Sequence, residues 1–344
     1  MLGRKIRLYR LQQGLTKKEL AVRTGISQAR ITAFENGRET PNTKIARVLA
    51  SALGVSFPQL MKFVPSSREY QHGEFRKQSS LSKSAQTYLR MLSEEYFDRL
   101  FLAADLLGGK VLREPPTVHC LIISGSPEAD AMLLRSHLGV AIDGSVPALI
   151  DMLENKGILI CKIPYEHTNF SGINGMADKY PYIAINSKAT PERQRSTIIH
   201  ELAHIFFELP KRTALEHEKY VEAVCGAFLF PSTDTYIELG RKRKAISSDM
   251  VIVAKEYGIS LQLLAKRAEQ LGIISADTYR NFNIAINKSS ARFSEGGRIK
   301  PEEPKLLEQL VLRGWCEDKM SLSRAAELLD ITYSEMRDKA ELWN

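Results

Sequence analysis

At 344 residues with 44% hydrophobic side chains, the chain is long enough for two or three globular domains, each with its own core. Its four cysteines, Cys120, Cys161, Cys225 and Cys316, include no C-x-x-C pair, which argues against a disulfide framework or a thiolate zinc ribbon and leaves reduced thiols in the core. The net charge of +8 is uneven: residues 1–64 hold 12 Lys/Arg against three Asp/Glu, the rest 36 against 37, as expected of one phosphate-binding module joined to a neutral body.

In chain order, "MLGRKIRLYR" is broken by basic residues, and no run of about 18 uncharged apolar residues follows anywhere, so a cytoplasmic protein without a membrane span is expected. Thr16 with Glu19 three residues later is a capping box, predicting a helix from Lys17 with Leu20 and Ala21 facing inward. Gly25 breaks it, Ile26 anchors the turn, and Ser27 caps a second helix whose Ile31 and Phe34 pack inward. Gln28, Ala29, Thr32 and Ala33 are left facing out. Two short helices across a glycine turn form a helix-turn-helix.

The stretches "LTKKELAVRTGIS", "FENGRETPN" and "IARVLASALGV" stand in the order of the lambda-repressor-like (XRE, Cro/CI) family, which residues 1–64 resemble. The resemblance implies an all-α, five-helix domain that binds double-stranded operator DNA as a homodimer, with the helix after Ser27 in the major groove. Carried over by position, Gln28, Ala29 and Thr32 would face bases, and Lys17, Asn36, Arg38 and Lys44 would lie near phosphates. Lys17 stands where the family often has a glutamine that braces the recognition helix.

Residues 65–116 are expected to be a connector. "PSSREYQHGEFRKQSS" (65–80) is polar, contains Pro and Gly and lacks a hydrophobic period, so it reads as a linker. From Leu81, apolar residues at Ala85, Leu89, Leu92, Tyr96, Leu100 and Ala103 predict a long amphipathic helix ending at Gly108-Gly109.

The apolar runs "VHCLIIS" and "GILICKI" are predicted strands, as is Tyr182–Asn186, followed by a turn over 187–190 and a helix over 191–209 opened by Pro191. That helix carries His200, Glu201 and His204 as H-E-x-x-H. Positions i and i+4 share a helix face, which suits two imidazoles on one metal with the intervening acid as general base. Zinc at a catalytic site takes a third protein ligand. "EHEKYVEAVCGAFLFP" (216–231) predicts a second helix with Val221, Val224, Cys225 and Phe228 inside and Glu218 and Glu222 beside that stripe. One acid could ligate and the other accept the free N–H of a ligating histidine. The Tyr182–Asn186 strand could hold a substrate main chain by β-addition, and His167, His217 and Tyr182 are candidates to stabilise an oxyanion.

"GILICK", the H-E-x-x-H segment, "EKYVEAVCGAFLFP" and "VAKEYGISLQLLAKRAEQLGII" resemble, in that order, the ImmA/IrrE metallopeptidases, so a zinc peptidase domain is expected over 117–290. The resemblance implies one zinc per chain and puts the third ligand on Glu218, while Glu222 occupies a position where the family usually has asparagine, so either acid remains open as ligand.

Residues 291–344 should be helical after a polar linker at 296–305. "SLSRAAELLDITYSEMRD" also resembles a helix-turn-helix, with Ser323 as N-cap and Ala326 and Leu329 inside, but 300–344 hold seven Lys/Arg against ten Asp/Glu, which points to packing or protein contacts. The whole reads as an α+β protein: a DNA-binding regulator whose zinc endopeptidase domain cleaves or binds a regulatory protein. By family resemblance that partner would be a repressor or, in some relatives, a toxin. The alternative is a repressor or antitoxin-like protein whose peptidase fold is a non-catalytic docking platform.

Overall fold

The computed structural model describes residues 2–62, 68–73, 81–208, 214–288 and 299–341. It is an α+β protein, mainly helical with small sheets. Two compact units interleave along the chain: the first is Met1–Glu69, Ser80–Val111 and Leu307–Asn344, the second Tyr70–Ser79 and Leu112–Leu306.

The first unit opens with five helices, α1 (Leu2–Gln12), α2 (Lys17–Thr24), α3 (Gln28–Glu35), α4 (Thr43–Ala52) and α5 (Phe57–Met61). The capping box forms reciprocally: the Glu19 amide donates to the Thr16 hydroxyl at 3.2 Å, and the Thr16 amide to the Glu19 carboxylate at 2.7 Å. Gly25 ends α2 at φ 70°, a left-handed conformation that suits glycine. The Ser27 hydroxyl then accepts the Arg30 amide to start α3. Ile6, Leu20, Ile31, Phe34, Leu49, Leu53 and Leu60 close the core, each contributing about 1.5–3 kcal/mol by leaving water. Gly3 is required where α1 crosses α3, since a Cβ there would lie 1.9 Å from the Phe34 carbonyl oxygen. A buried ion pair, Arg10 Nη2 to Glu35 Oε2 at 2.9 Å, ties the same two helices.

The long helix is α6 (Lys83–Leu106), capped by Ser82. Leu89, Leu100 and Ala103 of the expected stripe are buried, with Phe97 and Phe101, whereas Leu92 and Tyr96 are only half-buried. Its acidic face receives α1, with Arg4 on Glu94 at 2.8 Å and on Asp98 at 2.7 Å. The C-terminal helices are α15 (Leu306–Cys316), α16 (Leu322–Leu329) and α17 (Tyr333–Glu341). The N-cap of α16 is Ser321, not Ser323, because its hydroxyl is the one placed to accept the Arg324 amide, at 3.2 Å. Leu328 rather than Leu329 is then fully buried. The Leu328 carbonyl accepts Arg99 of α6, so this end of the chain packs within its own unit.

The second unit is built on a four-stranded sheet in the order β1-β4-β5-β3, from β1 (Tyr70–His72), β3 (Leu159–Ile163), β4 (Gly172–Ala177) and β5 (Tyr180–Asn186); a separate parallel pair is β2 (Leu121–Ile122) with β6 (Phe207–Glu208). Two corrections concern the strands. Residues 70–72 lie within the expected linker, yet they pair antiparallel with β4, in register Tyr70 with Ala177 and His72 with Gly175. Of "VHCLIIS", only Leu121–Ile122 is a strand. Remaining helices are α7 (Pro127–His137), α8 (Leu149–Glu154), α9 (Pro191–Phe206), α10 (Ala214–Leu229), α11 (Ser232–Leu239), α12 (Ser248–Glu256), α13 (Leu261–Gln270) and α14 (Ala276–Lys288).

Helix α9 starts as its sequence dictates, with Thr190 capping the Arg193 amide and Pro191 in the first turn. It stops at Phe206, short of the expected 209, because Phe207 turns to extended backbone and pairs with β2. One α9 face buries Ile198, Ile199, Leu202 and Phe206 with Ile183 and Ile185 of β5 and with Val221, Val224, Cys225 and Phe228 of α10. Part of the second expected linker is also structured. Glu302 accepts the Ile150 amide at 2.8 Å and pairs with buried Arg195 of α9. Two of the thiols expected inside, Cys120 and Cys316, are exposed; Cys161 and Cys225 are buried.

Candidate functional site

His200 and His204 lie one turn apart on α9, and their Nε2 atoms stand 3.1 Å from each other. Glu218, in the first half of α10, completes a triangle: its Oε2 is 3.3 Å from His200 Nε2 and its Oε1 3.5 Å from His204 Nε2. Among the described residues these three form the one group of histidine, cysteine and carboxylate side chains gathered closely enough for a metal ion. A tetrahedral ion with bonds of about 2.0–2.1 Å places its ligand atoms about 3.3 Å apart, so the three distances match the edges of such a site. Hydrogen bonding to His200 and then His204 holds the Glu218 carboxyl well below the usual carboxylate range, outweighing its partial burial. Glu222, one turn further on, is outside the triangle. It lines a cavity of about 780 Å³ with His200, Arg193, Lys219 and Lys266, between α9, α10 and α13.

Glu201 is 5% exposed and faces the sheet. Its Oε2 accepts Nδ2 of Asn174 at 2.7 Å. Asn174 was missed by sequence reasoning because β4 was not recognised as a strand. Strand β4 can lie this close to α9 because Gly172 has no side chain: a Cβ there would meet Thr197 Cγ2 at 2.6 Å and Glu201 Cγ at 3.6 Å.

The register separates the remaining candidates. Ile183 and Ile185 pack on α9, so residues paired with them, Asn174 and Gly172, share that face, while Tyr182 opposite Gly175 points to the other. Tyr182 is fully buried there, its hydroxyl hydrogen-bonded to His72 Nδ1, and is removed from the oxyanion candidates. His167 is exposed and stacks edge-on to Tyr165. His217 has its Nε2 buried without a hydrogen-bond partner among the described residues, but it is not in the triangle. Strand β5 cannot accept a substrate strand, since β4 and β3 occupy both of its edges.

On the first unit, Gln28 and Ala29 are exposed on α3 and Thr32 is half-buried, its hydroxyl donating to the Gln28 carbonyl. Asn36, Arg38 and Lys44 are exposed beyond it. Lys17 is half-buried, with its ammonium 3.8 Å from Glu35, so this lysine sits over the end of α3. Arg30, an outward cation that the sequence reading left out, is held by Glu39 at 3.0 Å.

Comparison with known proteins meets the fold at both units. A family model described as helix-turn-helix matches residues 6–60, and a peptidase-family model described as an IrrE N-terminal-like domain matches residues 153–269. The chain is 45% identical over 49 residues to an uncharacterized HTH-type transcriptional regulator of Methanothermobacter thermautotrophicus, covering 14% of this chain and 71% of that protein. It is 36% identical over 61 residues to an uncharacterized HTH-type transcriptional regulator of Sinorhizobium fredii, covering 18% of this chain and 79% of that one. No helix among the described residues is long and apolar enough to cross a membrane. The chain belongs to the helix-turn-helix transcriptional regulators through its N-terminal helices, and its second unit carries a domain that matches the IrrE N-terminal-like model.

Proposed function

We propose that this protein is a DNA-binding transcriptional regulator whose second unit is a zinc-dependent endopeptidase acting on a regulatory protein partner. The observation that carries the peptidase half is the triangle of His200, His204 and Glu218 beside a carboxylate, Glu201, that the triangle does not use. His200 Nε2, His204 Nε2 and a Glu218 oxygen would hold the ion. Bound there, zinc supplies Lewis acidity toward the scissile carbonyl and the attacking water. Glu201 takes the proton from that water and returns it to the leaving amine, the role an acid adjacent to the first histidine suits. Asn174 donates its amide to one Glu201 oxygen, which leaves the other for that proton. For the DNA half, the +9 charge of residues 1–64 and the outward Gln28, Ala29, Thr32, Asn36, Arg38 and Lys44 support operator binding.

Glu201→Gln tests the catalytic assignment, because it preserves shape and the Asn174 contact while removing the base. Metal content per chain should stay near one zinc in both proteins, while cleavage of a partner captured by the variant should vanish. Identical cleavage products from wild type and variant, each carrying zinc, would sink the proposal.

A further inference from the structure

The strand next to the catalytic helix, β4, has one edge on β5 and the other on β1. Only three residues form β1, yet their placement is specific. The Gly73 amide donates to the Asn174 carbonyl at 2.8 Å, continuing the ladder one residue past His72. In an antiparallel pair, hydrogen-bonded positions alternate, so Gln71 with Met176 is the other bonded pair and Tyr70 and His72 stand at non-bonded positions. Gln71 and Gly73 therefore share the α9 face with Asn174. Gly73 is in close contact there: a Cβ on it would lie 2.5 Å from Asn174 Oδ1 and 3.0 Å from the Asn174 carbonyl oxygen. Asn174 in turn holds Glu201. On the opposite face, Tyr70 and His72 stack, with centroids 6.2 Å apart, and both rings meet the edge of Tyr182. Gly175 leaves the room, since a Cβ on it would lie 2.5 Å from the Tyr182 hydroxyl.

A chain segment in extended form thus runs antiparallel along the strand whose Asn174 orients the proposed base. We infer that the outer edge of β4 is the docking edge for an extended substrate peptide, and that Tyr70–Gly73 fills it in cis as a substrate mimic. This rests on the peptidase reading above. The partner it fits is an unfolded segment with ring-bearing side chains at the first and third positions, to lie over Gly175 and Tyr182, and glycine at the fourth, against Asn174. Main-chain ladder bonds supply the affinity and these side chains the selection, as in other strand-addition complexes. Because β1 is tethered, it competes at an effective concentration in the millimolar range, so a free peptide must displace it.

The test uses the full-length chain and a fluorescent hexapeptide of the sequence Arg68 to Gly73. Gln71→Pro removes the amide donor to Met176 and so releases β1 without altering any residue of the triangle. The peptide should bind this variant at least about tenfold more tightly than wild type. A peptide with alanine in place of its two ring-bearing residues should lose most of that binding, and the Asn174 and Met176 amides should lose hydrogen-exchange protection in the variant and regain it with peptide. Equal peptide affinity for both proteins, or protection unchanged by the proline, overturns the inference. Zinc content is measured on the same samples. Loss of the peptidase reading shows as absent zinc in wild type, whereas failure of the docking edge alone shows as full zinc loading with no peptide effect.

Discussion

In the proposed mechanism the hydrogen bond from Asn174 to Glu201 selects which carboxylate oxygen is left for the proton, and it does so from a strand rather than from the helix that carries His200 and His204. A lone carboxylate on α9 could rotate about its terminal bond; a second-strand amide removes that freedom at the expense of one side-chain contact. Asn174→Ala is accordingly expected to lower kcat about tenfold with KM and zinc content unchanged, since one hydrogen bond to a charged group contributes about 1.5 kcal/mol. Steady-state kinetics with metal analysis check it, and a fall in zinc content equal to the fall in activity would show instead that Asn174 supports the fold of the site. Asn174→Asp should be worse than alanine, placing a second negative charge against Glu201.

At the scale of elements, the parts legible in the sequence were those with local signals. The Thr16–Glu19 box, Gly25, Ser27 and the helical spacing of His200 and His204 each rest on contacts within one turn, so α2, α3 and α9 could be read directly. Strand β4 could not, because two of its six residues are glycines, which weaken strand propensity, and they are there to admit Thr197 and Tyr182 from other elements. Strand β1 is three residues of polar and aromatic character whose ladder partner lies about a hundred positions away, which no local pattern records. The segment ending at Leu306 is similar. It looks like a linker, but the amides of Lys305 and Leu306 donate to Glu154 at 2.9 and 3.1 Å. Burial pushes the Glu154 carboxyl up to about 7 despite those two donors. With its folded value above the ordinary 4.5, the folded chain holds more proton than the unfolded one between those two values. Its contribution to stability is therefore complete below about pH 4.5 and lost as pH rises through about 7, by up to about 3 kcal/mol. Glu154→Gln should remove that part of the pH dependence, so the difference between variant and wild type in urea midpoint should widen from pH 5 to pH 8. A difference constant over that range would show that Glu154 does not titrate there.

At the scale of the whole molecule, the helix-turn-helix and the triangle are built on separate cores. The helices of the helix-turn-helix domain close on Ile6, Leu20, Ile31, Phe34 and Leu49 in the first unit, and the triangle joins α9 to α10 in the second. Arg4, Lys5 and Lys62 pair with carboxylates outside residues 1–64, namely Glu94 and Asp98, Glu95, and Asp330, so the +9 overstates what DNA meets. Arg38 and Lys44 are exposed and have no ion pair among the described residues. Removing both by Arg38→Ala with Lys44→Ala should weaken operator binding for every sequence alike and reduce the slope of log affinity against log salt by roughly 2. Chelating the metal should act on the other core. Loss of a ligand bound only by the folded form removes RT ln(1 + [L]/Kd), about 2.7 kcal/mol at a hundredfold excess over Kd, from the unit that carries α9 and α10. Chelated protein should then show an earlier unfolding transition for that unit while operator affinity, titrated at fixed salt, stays within about twofold, since a surface contact set left intact keeps its phosphate count. If operator affinity instead fell together with that transition, the two cores would be thermodynamically linked, and the reciprocal effect of DNA on zinc affinity would have to equal it.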